Sequence, residues 1–206
     1  MIKKFPDLIP IFPLSGVIFF PKTNLPLNIF EQRYLSLVND AFGKDKLMGM
    51  VQSKKESKNV YKVGCLGKIS DYQESKDGRI LINLTGVSRF KIIEEVSSNK
   101  LYREFKVDYS NFIGDVKDTQ NEIDTKSLMD KAENFFKKNG LLLNWKEFEK
   151  LDQLQKVNTL AMIAPVTNEE KQKLLEAVTT SDKINVLENI ISFYLYETGL
   201  NNQTIQ

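Results

Sequence analysis

The side chains that most often carry out catalysis are either missing from this 206-residue chain or lack a visible partner. It contains no histidine, which excludes Ser-His-Asp and Cys-His arrangements and the usual histidine-containing zinc sites. Cys65 is the one cysteine, and because it lies in an apolar strand pattern we interpret it as an inert buried thiol. A serine-lysine dyad is possible by composition, but no segment shows the strained turn and buried lysine that it needs.

The remaining charged groups do not form a recognisable site either. The acid pairs Glu94-Glu95 and Glu169-Glu170 consist of adjacent residues whose side chains diverge, so we interpret them as solvated surface. Gly67-Lys68 is followed by Ile69, which does not match a P-loop. We therefore predict a protein that is not an enzyme and has no catalytic residues, no cofactor and no metal.

Composition is that of a folded soluble protein, with 41% hydrophobic and 27% charged residues. No stretch approaches the roughly 18 consecutive apolar residues of a membrane span, and no secretory signal is visible at the start. A single thiol fits a reducing compartment. These features predict a cytoplasmic location and no membrane partner.

Charge and periodicity divide the chain in two. Residues 1–110 contain 18 Lys and Arg against 12 Asp and Glu, whereas residues 111–206 contain 11 against 15. Apolar residues alternate with period two in the first part and with period of about 3.6 after Asn111. We expect a strand-rich lobe over residues 1–112 and a helical lobe over residues 113–206.

The first lobe is predicted to contain at least five short strands and one helix. Residues 31–42 have helical spacing and end at Gly43, and Asp77-Gly78 is typical of a hairpin turn. Two prolines are expected to confine residues 8–13 to a sheet edge or a strand end, and Gly86 to separate two strands. Lys54, Lys55, Lys58 and Lys62 form a basic cluster that we interpret as a solvated loop rather than a phosphate-binding patch.

Capping residues predict four helices in the second lobe. The first begins near Thr125 and stops before Gly140, and the second follows Asp152 and ends before Pro165. Thr167 with Glu170 forms a capping box for the third, and Ser181 is the predicted cap of the fourth, which extends to Gly199.

An ordered set of segments then resembles the N-terminal domain of the Lon protease family. These segments are residues 9–14, Phe20-Pro21, and residues 25–34, 48–52, 63–69 and 84–90. Tyr102-Arg103 and the second lobe, including residues 161–165, resemble compact, free-standing bacterial members. The resemblance implies an α+β fold, with a PUA-like mixed β-barrel followed by a helical bundle, together forming one Lon N-terminal-type domain.

The same resemblance implies a function in protein quality control. In the full protease this region selects and holds damaged polypeptides, whereas the ATPase and the serine-lysine peptidase lie in later domains. We therefore expect a non-catalytic module that binds unfolded or damaged polypeptides as an adaptor or holdase, with a separate ATP-dependent protease as a candidate partner.

A site is predicted in the apolar segment 17–34, which either plugs the barrel or presents a groove. The groove hypothesis assigns client contacts to Phe20, Leu25, Leu27, Phe30, Arg33 and Tyr34. Arg33 pairs either with a client carboxylate or with an internal acid. RNA binding is the alternative function, because PUA-like barrels include RNA readers, but the absence of a basic-aromatic stripe disfavours nucleic acid.

Overall fold

Among the residues described before Tyr109, alternating apolar residues build six strands, and apolar residues at helical spacing build one helix. The structure, a computed structural model, describes residues 5–54, 59–116 and 124–201, without the side chains of residues 197–201. The chain divides into two compact units, residues 1–119 and 120–206. In order, the first contains β1 (Leu8–Leu14), β2 (Asn24–Ile29), α1 (Gln32–Phe42), β3 (Leu47–Gln52), β4 (Val63–Glu74), β5 (Ile80–Val96), β6 (Arg103–Asp108) and a 3-10 helix (Ser110–Asp115).

Five of these strands are paired in a closed ring. The sheet order is β2-β5-β4-β3-β1-β6, and β6 pairs again with β5. β1 runs parallel to β3, and the other pairings are antiparallel. β2 pairs with β5 outside the ring, so it is an edge strand in the described part of the chain.

A cluster of buried aliphatic and aromatic side chains fills the interior of this unit. Its members come from β1, β3, β4, β5 and β6 and are Ile9, Ile11, Val51, Leu66, Phe90, Ile92, Phe105 and Val107. Cys65 is also buried, as predicted, and donates weakly to the Leu66 carbonyl at 3.5 Å. Burial of this apolar surface is the main favourable contribution to folding.

The prediction that the prolines confine β1 to a sheet edge or a strand end was wrong. β1 lies between β3 and β6, and its two pairings overlap little: Leu8 to Ile11 pair with β6, and Ile11 to Leu14 pair with β3. Pro10 therefore lies outside the β3 pairing and Pro13 outside the β6 pairing. Each neighbour pairs with a stretch that contains only one proline, so an internal strand tolerates both.

The prediction that Gly86 separates two strands was also wrong. β5 runs without interruption from Ile80 to Val96, and the irregularity is a bulge, because Leu66 pairs with Ser88 whereas Gly67 pairs with Gly86. Gly86 is instead a point of close backbone approach, where an added Cβ would lie 2.0 Å from the Phe20 carbonyl oxygen. The hairpin turn at Asp77-Gly78 is confirmed, with Gly78 at φ +82°.

Helix α1 occupies the predicted position, with Glu31 as N-cap residue and Gly43 as C-cap residue. It buries one face through four residues at helical spacing, Tyr34, Leu37, Val38 and Ala41. Two tyrosine hydroxyls contact its last turn: Tyr72 of β4 donates to Asn39 at 3.0 Å, and Tyr102, just before β6, donates to Asp40 at 2.7 Å. The C-terminal end of α1 is therefore held in place.

The second unit is helical. It contains α2 (Lys126–Lys138), α3 (Trp145–Phe148), α4 (Gln153–Ile163), α5 (Asn168–Glu176) and α6 (Thr180–Asn201). Asp152 and Thr167 form complete capping boxes at α4 and α5, which confirms both predicted helix starts. The core contains apolar residues from all five helices, among them Leu128, Phe135, Phe148, Leu160, Leu174 and Leu187.

Two details of this unit differ from the prediction. The short helix α3 was not predicted. The start of α6 is capped by Thr179 rather than Ser181, since the Asp182 amide donates to the Thr179 hydroxyl at 3.0 Å and that hydroxyl donates to the Asp182 carboxylate at 2.6 Å. Within residues 5–54, 59–116 and 124–201, no helix combines the length and apolar character that a membrane crossing requires.

Candidate functional site

The six predicted contact residues fall into a buried set and an exposed set. Phe20 is fully buried, and Leu25 and Tyr34 are 7% exposed. Leu27 is half-buried, Phe30 is 66% exposed, and the Arg33 side chain is 56% exposed. The apolar residues Ile18 and Phe19 are buried too, so this part of the segment contributes to the core in the way that the plug hypothesis describes.

The exposed set lies at a corner between β2 and α1, which we define as residues 27–34. Ile29 ends β2 with its side chain buried, and Glu31 follows in an extended conformation as the N-cap residue. The Glu31 carbonyl accepts hydrogen bonds from the amides of Tyr34 and Leu35, both at 2.9 Å. Phe30 lies between the two anchored residues, and its ring faces solvent.

Arg33 pairs with an internal acid in this conformation. Its Nε and Nη2 atoms lie 3.0 and 2.8 Å from the Glu31 carboxylate, and its guanidinium lies 4.5 Å from the centre of the Tyr34 ring. Both partners of the ion pair are about half exposed, at 56% and 47%. Because exposed ion pairs contribute little to stability, this one can exchange for an external carboxylate at low cost.

Tyr34 connects the corner to the core. Its ring lies 4.3 Å from that of Phe12, and burial raises the pKa of its phenol, while Arg33 and Arg103 partly oppose the rise. Arg103 in turn donates to both Glu95 carboxylate oxygens, at 2.7 and 2.6 Å. Sequence reasoning missed Glu95 and Arg103 as neighbours of the corner, because only the pairing of β5 with β6 brings them there.

A shallow concavity of about 420 Å³ adjoins Glu95 and Arg103 at the turn between β5 and β6. Leu101 lines it and is 63% exposed, whereas Lys100 is held by Glu104 at 2.8 Å. Hydrogen bonds from Lys100 to Glu104 and from Arg103 to Glu95 raise the pKa of both cations. The concavity therefore combines an apolar side chain with cations that already have acidic partners.

Metal-ligating side chains and a buried lysine are the remaining chemical groups of the described residues. These residues contain no group of three or more Cys, Asp and Glu residues placed to hold a metal ion. The buried Lys183 donates to the Asn158 amide oxygen at 2.6 Å. Of the predicted lysine cluster, Lys55 and Lys58 lie outside the described residues.

Comparison with known proteins identifies the relatives of this chain. The family model described as the ATP-dependent protease La (LON) substrate-binding domain matches residues 8–192. The Lon protease of Syntrophus aciditrophicus is 26% identical over 94% of this chain, and that of Malacoplasma penetrans is 31% identical over 86%. The chain spans only 26% and 24% of the length of these two proteins.

Two solved structures share the fold over almost their whole length. The crystal structure of a Lon N-terminal domain protein from Xanthomonas campestris superposes with a TM-score of 0.66 at 21% identity, and covers 90% of this chain and 97% of its own. The N-terminal domain of the Mycobacterium avium complex Lon protease gives 0.64 at 16% identity, with 90% and 98% coverage. With a family match from residue 8 to residue 192, the chain belongs to the Lon substrate-binding domain family.

Proposed function

We propose that this protein is a non-catalytic module that binds unfolded or damaged polypeptides. The observation that carries the proposal is the exposure of Phe30 at the β2–α1 corner, in a chain of the Lon substrate-binding family. The Phe30 ring is 66% exposed, and contact of an apolar surface with water is unfavourable. Covering the ring with an apolar client side chain therefore lowers the free energy. The half-buried Leu27 and the exchangeable Arg33–Glu31 pair belong to the same corner.

The binding surface in this proposal is narrower than the predicted six residues. The client contacts are made by Phe30, Leu27 and Arg33. The other three residues, Phe20, Leu25 and Tyr34, are buried and hold the corner in place through core packing. Arg33 exchanges Glu31 for a client carboxylate where the client supplies one. Capture is passive, because the proposed contacts are apolar burial and exchangeable ion pairs.

The same proposal includes the type of β-barrel and the partners of the protein. The closed ring of five strands supports a PUA-like barrel for the strand-rich lobe, with the helical lobe completing one Lon N-terminal-type domain. We further propose an adaptor or holdase role in the cytoplasm, with a separate ATP-dependent protease as the receiver of clients.

The test measures binding of a permanently unfolded protein. Fluorescein-labelled, carboxymethylated α-lactalbumin is titrated with the wild-type protein and with Phe30→Ala, and the Kd is read from fluorescence anisotropy. Loss of the ring should weaken binding about tenfold or more, since aromatic anchors dominate such interfaces. Ile93→Ala is the matched control, because Ile93 is 51% exposed on β5 and lies outside the corner.

Either of two results would overturn this proposal. One is equal Kd values for wild type, Phe30→Ala and Ile93→Ala. The other is a pull-down from cytoplasmic extract that enriches RNA in a salt-sensitive manner without enriching polypeptides, since phosphate contacts weaken steeply with salt. That second result would establish the RNA-binding alternative.

A further inference from the structure

The edge strand β2 presents backbone groups that no described residue uses. Its six residues pair only with β5, from Asn24 opposite Thr85 to Ile29 opposite Ile80. Side chains alternate along it: Leu25 and Ile29 are buried, whereas Asn24, Pro26 and Asn28 are exposed. One edge of β2 is therefore open among residues 5–54, 59–116 and 124–201.

The hydrogen-bond phase determines which groups point to that open edge. The Gly86 amide donates to the Thr23 carbonyl at 2.9 Å, so the backbone carbonyl of Thr23 points towards β5. In an antiparallel pair the residues that bond to the partner strand alternate with those that face away. Backbone groups therefore point towards β5 at Leu25, Leu27 and Ile29. They point away from β5, to the open edge, at Asn24, Pro26 and Asn28.

The position of Pro26 is consistent with this hydrogen-bond pattern, and Pro26 removes one amide donor from the open edge. A proline has no amide proton, so it is tolerated only where its nitrogen faces away from the partner strand. The outward groups are consequently the amides of Asn24 and Asn28 and the carbonyls of Asn24, Pro26 and Asn28. Two donors and three acceptors repeat at the two-residue interval of an extended chain.

We propose that β2 binds its client by β-augmentation, in which an extended segment of an unfolded polypeptide adds as a further strand along Asn24–Ile29. This inference rests on the proposed function and specifies the form in which the client binds. The outward groups match the backbone of any extended segment, and the added strand gains main-chain hydrogen bonds independent of sequence. Such indifference to sequence suits a module whose clients share only their unfolded state.

The surroundings of the edge favour a client over the other possible occupants. None of the six residues of β2 carries a charge, although charged side chains are a common means of blocking an exposed edge. On the outer face, Leu81 lies opposite Asn28 and is 42% exposed, and Phe30 follows two residues after Asn28. An added strand therefore meets apolar side chains only at the end near Leu81 and Phe30, because Asn24 and Pro26 lie opposite the polar residues Thr85 and Asn83.

A second copy of the chain fits this edge less well. It would bring its own Pro26 to the pairing, so each of the two paired strands would lack one amide donor. A client segment without proline supplies all of its own amides. The edge therefore discriminates in favour of foreign extended segments and against edge-to-edge pairing of two identical copies.

Two substitutions with opposite expected signs test the inference. Pro26→Ala restores an outward amide without changing the pairing to β5, and Asn28→Pro removes one. One backbone hydrogen bond corresponds to roughly threefold to tenfold in affinity. Pro26→Ala should therefore tighten the Kd for carboxymethylated α-lactalbumin by that factor, and Asn28→Pro should weaken it by that factor. Asn28→Ala keeps the amide and should weaken binding less than Asn28→Pro does.

A second experiment modifies the bound peptide and keeps the protein wild type, so its result does not depend on whether a variant folds. The probe is a ten-residue peptide of alternating valine and threonine with two added lysines, bound to the wild-type protein. N-methylation of every backbone amide leaves the peptide no main-chain donor on either edge of the added strand. The fully methylated peptide should lose binding about tenfold or more, whereas a peptide methylated on every second amide should bind nearly like the parent through its unmethylated edge.

The outcomes separate the inference from the proposed function. If Phe30→Ala weakens binding but Pro26→Ala, Asn28→Pro and the fully methylated peptide bind like their parents, side chains alone hold the client and β-augmentation is overturned. If wild-type protein does not bind the unfolded protein at all, the proposed function fails and the inference fails with it. Dimerisation of Pro26→Ala without tighter peptide binding would identify an edge for self-association and also overturn the inference.

Discussion

Arg89 and Asp115 form a buried ion pair that joins β5 to the 3-10 helix at the end of the strand-rich region. Arg89 Nε and Nη2 donate to the Asp115 carboxylate at 2.9 and 2.8 Å, and the Arg89 amide donates to it at 2.8 Å. The two side chains are 3% and 5% exposed. The Arg89 guanidinium also lies 4.5 Å from the centre of the Phe112 ring. One arginine thus fixes the 3-10 helix against the sheet.

Removing one member of this pair should be strongly destabilising. Asp115→Ala removes a bidentate carboxylate partner from the buried Arg89 guanidinium, which costs roughly 3–5 kcal/mol of unfolding free energy. Urea denaturation followed by circular dichroism measures the difference. Asp77→Ala is the matched control, because Asp77 pairs with Arg79 at a surface where both side chains are 52% exposed, and its loss should change stability little. Equal effects of the two substitutions would contradict the structural importance of the buried pair.

Phe30 and Tyr34 should respond differently to truncation, although they are four residues apart. Tyr34 is 7% exposed and packs on Phe12, so Tyr34→Ala should lower the unfolding free energy by roughly 3–5 kcal/mol. Phe30→Ala removes an exposed ring and should leave the Tm almost unchanged while it weakens client binding. Differential scanning calorimetry of both variants decides this, and a collapse of Phe30→Ala would show that its ring belongs to the core.

Gly86→Ala should prevent normal folding of the strand-rich unit. The added methyl group would lie 2.0 Å from the Phe20 carbonyl oxygen, and because that atom belongs to the backbone, the segment over β5 must move. Gly114→Ala is the control, because its added methyl group meets no described atom within 4 Å apart from its own chain neighbours and its own helix backbone. We expect a large loss of Tm for the first variant and little change for the second. A stable Gly86→Ala protein would mean that the segment around Phe20 lies farther from β5.

The Glu95–Arg103 pair should make stability depend on pH in the acid range. The hydrogen bond from Arg103 lowers the pKa of Glu95 below its ordinary value of 4.5. A carboxyl whose pKa is depressed by folding stabilises the native state above its unfolded pKa, and this contribution disappears as the pH falls through the folded pKa.

The comparison of wild type with Glu95→Gln isolates this contribution. The difference in unfolding free energy should be complete above about pH 5 and should shrink steadily below pH 4.5. Urea denaturation at a series of pH values measures it. A difference that stays constant from pH 6 to pH 3 would show that the side chain acts through packing and not through its charge.

Sequence periodicity and capping chemistry determined the order and most of the described elements, but not β2, the 3-10 helix or α3. Helix α1 and the starts of α4 and α5 lie where apolar spacing, Gly43, Asp152 and Thr167 predicted them. These signals are local, since a cap or an amphipathic face depends on residues a few positions apart. The absence of histidine is a property of composition alone, and it excludes several catalytic mechanisms whatever the fold.

Tertiary structure alone decided which residues of the predicted site face solvent and which groups join across the fold. Phe20 and Phe30 are equally apolar, yet one is fully buried and the other is 66% exposed, because β2 pairs with β5 and α1 begins just after Phe30. Arg89 meets Asp115 across 26 residues, and Glu95 meets Arg103 only through the pairing of β5 with β6. Local sequence cannot encode such contacts, because strand register and sheet order are fixed by the packing of the whole unit.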